Sequence, residues 1–209
     1  MKKFGFILHP LQAADVERKF SICKPLSDRI VEKIIKVLPP FKLSKITGIK
    51  SKLGLEAEGY FICCPLTSRQ IIELPTAEVL DRIINAGIKA KELGAQIVGL
   101  GAFTSVVGDK GITVARKLGI PVTTGNSYTV ATALEGTKLA SEIMGLNLKQ
   151  SNILIVGATG SIGKACTRLL ARNNNYLMLA ARKEDKLNKF AMELREKFNT
   201  SVETTTNLN

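Results

Sequence analysis

A glycine triad, Gly157-x-x-Gly160-x-x-Gly163, follows the apolar run Ile153-Leu154-Ile155-Val156 and opens a helix-like segment over residues 162–172. Strand, tight turn and first helical turn in that order form a cradle for the pyrophosphate of a dinucleotide. Small residues let the main chain approach, and the helix N-terminus supplies unpaired N–H groups and partial positive charge. Gly157 is read as the tight turn, Gly160 as the close approach to phosphate, and Gly163 as the point where helix packs on sheet. Thr159 stands where a strict G-x-G-x-x-G has its middle glycine. Thr159 and Ser161 add hydroxyl donors, and Ile162 lies in the same helical turn. A glycine turn with no ligand is the competing reading; the flanking strand and helix weigh against it.

The triad comes late, and the residues before it fix the fold class. Apolar runs short enough for strands alternate with helix-period segments, which implies parallel sheets covered by helices. Strands are expected over residues 3–8, 41–48, 56–64, 96–101, 120–123, 153–156 and 176–181, with a further one over 201–206. Helices are expected over residues 13–38 (broken near Pro25), 76–94, 112–118, 128–144, 162–172 and 183–198. Thr76 reads as an N-cap. Val79, Leu80, Ile83, Ile84 and Ile88 form one apolar stripe, and Ala165, Leu169 and Leu170 another. Leu187, Phe190, Ala191, Leu194 and Phe198 form a third. The chain is therefore expected to be α/β, an N-terminal open α/β domain followed by an incomplete Rossmann-type dinucleotide-binding domain. The polar stretch 146–151 places the boundary so that residues 1–148 form the substrate-side domain and 149–209 the partial, truncated cofactor domain.

With 209 residues, 45% of them hydrophobic, the chain can bury a sizeable core. No run of 18 apolar residues exists, which argues against a membrane span. Four cysteines without paired spacing suit neither a zinc site nor a disulfide framework, so no metal is expected and a reducing cytoplasm is the simplest location. Lys plus Arg exceeds Asp plus Glu by 30 to 18, a net charge of +12. That field suits an acidic partner, although a solvated surface explains it equally well. Nucleic acid is disfavoured: there is no aromatic-interleaved basic run, helix-turn-helix or zinc finger.

Cofactor choice is read one strand further on. Sites that prefer NAD usually place Asp or Glu there for the ribose hydroxyls. This chain has Arg182 and Lys183. The arginine fork suits a 2′-phosphate, so NADP(H) is expected; a surface arginine beside a helix start is the alternative. Two other strand ends are polar. Phe103, Thr104 and Ser105 follow one strand, and Thr124, Gly125, Asn126, Ser127 and Tyr128 follow another. Ligands of open parallel sheets bind outside such carboxyl ends. Capping alone accounts equally well for Asn126 or Ser127.

Taken in order, 4–9 (Phe-Gly-Phe-Ile-Leu-His), 100–107, 123–129 and 157–163 resemble the long-chain acyl-[acyl-carrier-protein] reductases and their shikimate-dehydrogenase-like bacterial relatives. The resemblance runs over nearly all of the chain. It implies NADPH-dependent reduction of a fatty acyl thioester to an aldehyde through a cysteine acyl-enzyme, with acyl carrier protein, an acidic protein, as partner. It also implies a nucleophilic cysteine in a C-terminal third, beyond Asn209, so the chain is expected to be the N-terminal portion of a longer protein and inactive alone. None of Cys23, Cys63, Cys64 or Cys166 matches that nucleophile; Cys166 reads as a packed thiol, and Cys63-Cys64 as residues near a pocket.

Two other functions stay open. A shikimate- or amino-acid-type dehydrogenase would place a Lys–Asp pair beside the substrate loop, and adjacency of Asp109 and Lys110 does not supply that geometry. A nonenzymatic dinucleotide-binding module would bind NADPH without turnover. The lone His9, at the end of the first strand, is read as a structural residue ahead of an acid–base catalyst.

Overall fold

The computed structural model describes residues 2–173 and 176–207. Met1, at the head of the opening segment, and Asn209, taken as the end of the second domain, lie outside the described residues. The chain divides into two compact units, Met1–Gly125 and Asn126–Asn209.

The first unit is built on a five-stranded sheet. Its strands are β1 (Lys2–Leu8), β2 (Phe41–Lys50), β3 (Glu56–Cys63), β4 (Ile97–Leu100) and β5 (Val122–Thr123), in the order β2-β3-β1-β4-β5. All neighbours are parallel except β2, which runs antiparallel to β3 at one edge. Its helices are α1 (Ala13–Lys19), α2 (Asp28–Val37), α3 (Ser68–Glu73), α4 (Thr76–Glu92) and α5 (Ile112–Leu118). The main core joins Ile7, Ile62, Val98 and Leu100 of the sheet to Val79 and Ile83 of α4 and Leu118 of α5. Burying each such large apolar side chain is worth about 1.5–3 kcal/mol. A satellite cluster, Ala13, Val16, Cys23, Val31 and Ile35, ties α1 to α2.

The second unit is a β-α-β-α-β run preceded by one helix. It comprises α6 (Asn126–Ile143), β6 (Ile153–Val156), α7 (Ser161–Ala171), β7 (Tyr176–Ala180), α8 (Glu184–Phe198) and β8 (Ser201–Thr205). The sheet is parallel with order β6-β7-β8, the arrangement of one mononucleotide-binding half of a Rossmann fold. Leu187, Phe190, Ala191 and Leu194 of α8 are buried against Leu177, Leu179 and Val202, with Phe198 packed at the edge, as the stripe predicts.

Several expectations shift in detail. The division falls between Gly125 and Asn126 and not at 148/149, because α6 packs on α7. The break expected near Pro25 is present and wide: residues 13–38 form α1 and α2, separated by residues 20–27 with a short 3₁₀ turn at Ser21–Cys23. Pro75, not Thr76, occupies the cap position of α4, and Thr76 is the first helical residue. On α4, Ile88 is 44% exposed while Ala86 and Ala90 are buried, small residues letting the helix lie close over the sheet. Helix α3 went unpredicted, although Thr67 and Gln70 form a capping box at its start.

Candidate functional site

The glycine turn carries the geometry that a dinucleotide needs. Gly157 has φ +75°, a left-handed conformation that glycine adopts without steric penalty. The Gly157 and Ala158 N–H groups donate to the Ala180 carbonyl at 2.8 and 3.2 Å, which pins the turn to the end of β7. Gly160 N–H donates to Gly157 O at 2.9 Å, and Lys164 N–H closes the first turn of α7 on Gly160 O at 2.8 Å. The N–H groups of Ser161, Ile162 and Gly163 precede that first intrahelical bond, so they have no carbonyl one turn back within the helix. A Cβ built on Gly163 would lie 2.3 Å from Gly157 O, so only glycine permits this approach of helix to turn. Gly157, Gly160 and Ser161 are exposed, and Thr159, Ile162 and Gly163 half-buried.

The same approach dictates which face of α7 meets the sheet. Thr167 and Ala171 are buried and Leu170 packs on the core, in line with Gly163, while Leu169 is 40% exposed and Ala165 half-buried. The expected core stripe Ala165, Leu169, Leu170 is thus rotated, because the close contact at Gly163 fixes the helix face before apolarity does.

Arg182 lies in the bend after β7 and Lys183 takes the cap position of α8; both are exposed. Neither side chain makes a hydrogen bond or ion pair among the described residues. Glu184 and Asp185 follow in the first turn of α8, where the helix N-terminus stabilises carboxylates.

In the first unit, the pairing of Gly99 with Thr123 sets the ends of β4 and β5 side by side, which brings Phe103, Thr104 and Ser105 to the same sheet end as Thr124 and Gly125. Thr104 is buried and its hydroxyl donates to Gly101 O at 2.7 Å; Ser105 Oγ–H donates to Ala102 O at 2.7 Å. Gly125 N–H donates to Thr123 Oγ1 at 3.2 Å. In the second unit, Asn126 opens α6 and its side-chain amide donates to Ser161 Oγ at 3.2 Å, joining the start of α6 to the glycine turn. Ser127 is exposed, and Tyr128 is 76% exposed.

Sequence reasoning read His9 as structural but missed its partner, and it missed the strain on the loop that His9 holds. Ala102 has φ +47°, a strained conformation for a residue with a Cβ, on the loop that carries Phe103. His9, at the end of β1, holds that loop. Its Nδ1–H donates to Pro10 O at 2.9 Å, and its Nε2 accepts the Phe103 N–H at 3.2 Å. The two bonds require the neutral Nδ1–H tautomer, and burial lowers the pKa of the ring below the ordinary histidine value. With both nitrogens engaged, His9 acts as a brace.

The other chemical candidates are committed elsewhere. Asp109 accepts the Thr113 N–H and hydroxyl at 3.0 and 2.7 Å, bonds that lower its pKa and tie it to the first turn of α5. It is not turned into a Lys–Asp pair. Burial raises the thiol pKa of Cys63 to about 11 and of Cys64 to about 12, and raises that of Cys166 as well, so all three are protonated at neutral pH. Among the described residues no cluster of His, Cys, Asp and Glu could hold a metal ion. No described helix is long and apolar enough to cross a membrane.

Against known proteins, residues 153–208 match the family model described as polysaccharide biosynthesis protein. The chain is 30% identical over 190 residues to the aminotransferase PigE of a Serratia species, across 86% of this chain and 22% of that protein. It is 27% identical over 203 residues to the long-chain acyl-[acyl-carrier-protein] reductase of Synechococcus elongatus, across 91% of this chain and 59% of that protein. The chain thus spans about a fifth and three fifths of these two relatives. Among solved structures, the L-tryptophan dehydrogenase of Nostoc punctiforme aligns with 97% of this chain and 50% of its own, at 15% identity and a TM-score of 0.41. The α/β assignment rests on strand order and the glycine turn, and the two sequence similarities each run over most of this chain but only part of the relative.

Proposed function

We propose that the protein carrying this chain is an NADPH-dependent reductase of fatty acyl thioesters presented on acyl carrier protein. The observation that carries the cofactor half is the contact at Gly163, where any side chain would strike the Gly157 carbonyl. Such a cradle serves close approach of the main chain to a pyrophosphate. The N–H groups of Ser161, Ile162 and Gly163 would hold the pyrophosphate, and Arg182 with Lys183 the 2′-phosphate. The nicotinamide, when bound, supplies a hydride. The side chain of Asn126, by donating to Ser161 Oγ, orients that hydroxyl at the mouth of the cradle.

The acyl-thioester half is supported by the 27% identity to the Synechococcus enzyme across 91% of the chain. The net charge of +12 suits an acidic carrier protein by electrostatic steering. The loop Phe103–Ser105, braced by His9, with Thr124 and Gly125, is the substrate-side surface of the first unit in this reading. Three of the four thiols are held protonated, which agrees with a nucleophile elsewhere in the intact protein.

Calorimetric titration of the chain with NADPH and NADH tests the cofactor half. NADPH should bind more tightly, Gly163→Ala should abolish binding of both, and Arg182→Ala should level the preference. Binding of neither nucleotide would sink the cofactor reading; an unchanged preference in Arg182→Ala would remove the 2′-phosphate role. For the substrate, aldehyde formation from hexadecanoyl-acyl carrier protein and NADPH by the intact protein is the deciding assay, and its absence overturns the reductase assignment.

A further inference from the structure

Helix α2 and the turn before it leave an apolar strip in water that neither the glycine turn nor the strand-end loops use. The residues of α2 divide by face. Val31 and Ile35 are buried in the satellite cluster that joins α1 to α2. Ile30, Ile34 and Val37 recur at i, i+4 and i+7 on another face; all three are exposed, Val37 to 75%. Ile22, in the Ser21–Cys23 turn, is 83% exposed. It lines one apolar hollow together with Ile34, so the strip continues from helix to turn. A surface helix ordinarily carries polar residues where these aliphatic groups stand.

The free charges beside the strip are positive. Arg29, Lys33 and Lys36 repeat the same spacing one residue earlier, which sets a basic stripe along the flank of the apolar one. Lys36 pairs with Glu78 at 2.9 Å, while Arg29 and Lys33 are exposed and make no ion pair among the described residues. Lys24, two residues from Ile22, is likewise exposed and without an ion pair among the described residues. Lys19 lines the hollow and meets a backbone carbonyl, Leu43 O, at 3.5 Å, with no carboxylate among the described residues. Three of the four acids on α1 and α2 are committed. Asp15 accepts the Leu11 and Gln12 N–H groups and pairs with Arg18, Glu32 is held by Thr67 and Arg69, and Asp28 adds to the field on Arg69. The fourth, Glu17, does not line the hollow.

We propose that this face docks on the surface of an anionic lipid bilayer. Ile22, Ile30, Ile34 and Val37 enter the headgroup layer, and Lys19, Lys24, Arg29 and Lys33 meet its phosphates and carboxylates. Charge complementarity selects the occupant, because four cations without carboxylate partners flank the strip. Protein interfaces are depleted in lysine and anchored by aromatic residues. Here three of the four cations are lysines and the strip is aliphatic, the composition of a helix that lies in the plane of a bilayer. The face belongs wholly to the first unit and rests on neither the cofactor nor the substrate reading.

Co-sedimentation of the full chain with vesicles tests the proposal. Phosphatidylcholine vesicles with about a third phosphatidylserine should carry the chain down, and pure phosphatidylcholine should leave it in solution. Raising salt from about 0.1 M to about 1 M shortens the Debye length from about 10 to about 3 Å and should release most of it. Arg29→Ala and Lys33→Ala should each weaken binding about fivefold. The sequence has no tryptophan, so a single introduced one reports its own surroundings. Emission of Ile22→Trp should shift to the blue on anionic vesicles. That of Leu53→Trp should not, since this 89% exposed residue lies beyond the far end of the ten-residue strand β2, whose first residue, Phe41, lines the hollow. No sedimentation with anionic vesicles, equal sedimentation with neutral ones, or a shift in Leu53→Trp alone overturns the proposal. A response of Ile22→Trp to acyl carrier protein, used as an acidic protein probe, with none to vesicles also overturns it and makes the face a protein-docking surface. Should either variant fail to fold, sedimentation and salt release of the unaltered chain still decide the outcome.

Discussion

A protonated imidazole cannot serve both neighbours of His9. The Phe103 N–H needs a lone pair on Nε2, and adding a proton there sets two donors against each other at 3.2 Å. Burial already lowers the pKa of the ring, so the unfolded chain takes up the proton first as pH falls. Stability is therefore full above the unfolded histidine value of about 6.5 and declines as pH drops from there through the folded pKa. The amide resonance of Phe103 should shift over that same window, and a flat pH profile between 7 and 5 would contradict the brace. His9→Ala, which strands the Phe103 N–H, should cost about 1–3 kcal/mol in urea denaturation. The two residues are 94 positions apart, and no periodicity links them, so the brace was not legible in the sequence. The contact at Gly163 was. Its partner Gly157 is six residues away in a pattern whose spacing has one geometric use, and Gly163→Ala should destabilise the second unit by about 1–3 kcal/mol through forced overpacking.

At the scale of elements, α2 and α3 are joined by one carboxylate. Glu32 accepts from the Thr67 hydroxyl at 3.0 Å and from Arg69 Nε at 3.3 Å, with the Arg69 guanidinium paired to its other oxygen. Gln70 adds a bond from its side-chain amide to Glu32 O at 2.9 Å. Hydrogen bonding from Arg69 is the main reason that the pKa of Glu32 lies below the ordinary glutamate value. The stabilisation this brings is present above the unfolded pKa of about 4.3 and is lost as pH falls through the lower folded value. Glu32→Ala leaves the fully buried Thr67 hydroxyl without its carboxylate and should cost about 1–3 kcal/mol; acid denaturation of the variant should be correspondingly less steep below pH 4. An unaltered acid profile would remove Glu32 from that role. Strands and long helices of this chain follow from apolar period, because each has one neighbour face to satisfy. Short α3 does not, since six residues give too little period to read, and its signature lies in the Thr67–Gln70 cap instead. On α4 and α7 the face was displaced for a common reason: close approach selects small residues, Ala86 and Ala90 in one, Gly163 and Ala171 in the other, and apolar scoring passes over them.

For the whole molecule, two separate cores mean that a ligand of one unit stabilises the residues of that unit through its own binding free energy. The second core is built on Leu177, Leu179, Leu187, Phe190 and Leu194, and the glycine turn hangs directly from it through the Ala180 carbonyl. Opening that core destroys the turn, so a nucleotide that binds the turn binds only the folded unit. At a concentration one hundred times its dissociation constant, such a ligand adds about 2.7 kcal/mol. Amides of β6, β7 and α7 that exchange through global opening of the unit should then slow by about a hundredfold with NADPH. The effect should vanish in Gly163→Ala, where the cradle is filled, and persist in reduced form in Arg182→Ala, where pyrophosphate contacts survive. Hydrogen exchange read by mass spectrometry over residues 153–205 measures this directly. Protection confined to surface loops, with the core amides unchanged, would mean that the nucleotide binds without using the glycine turn, and the cofactor site would have to be sought elsewhere.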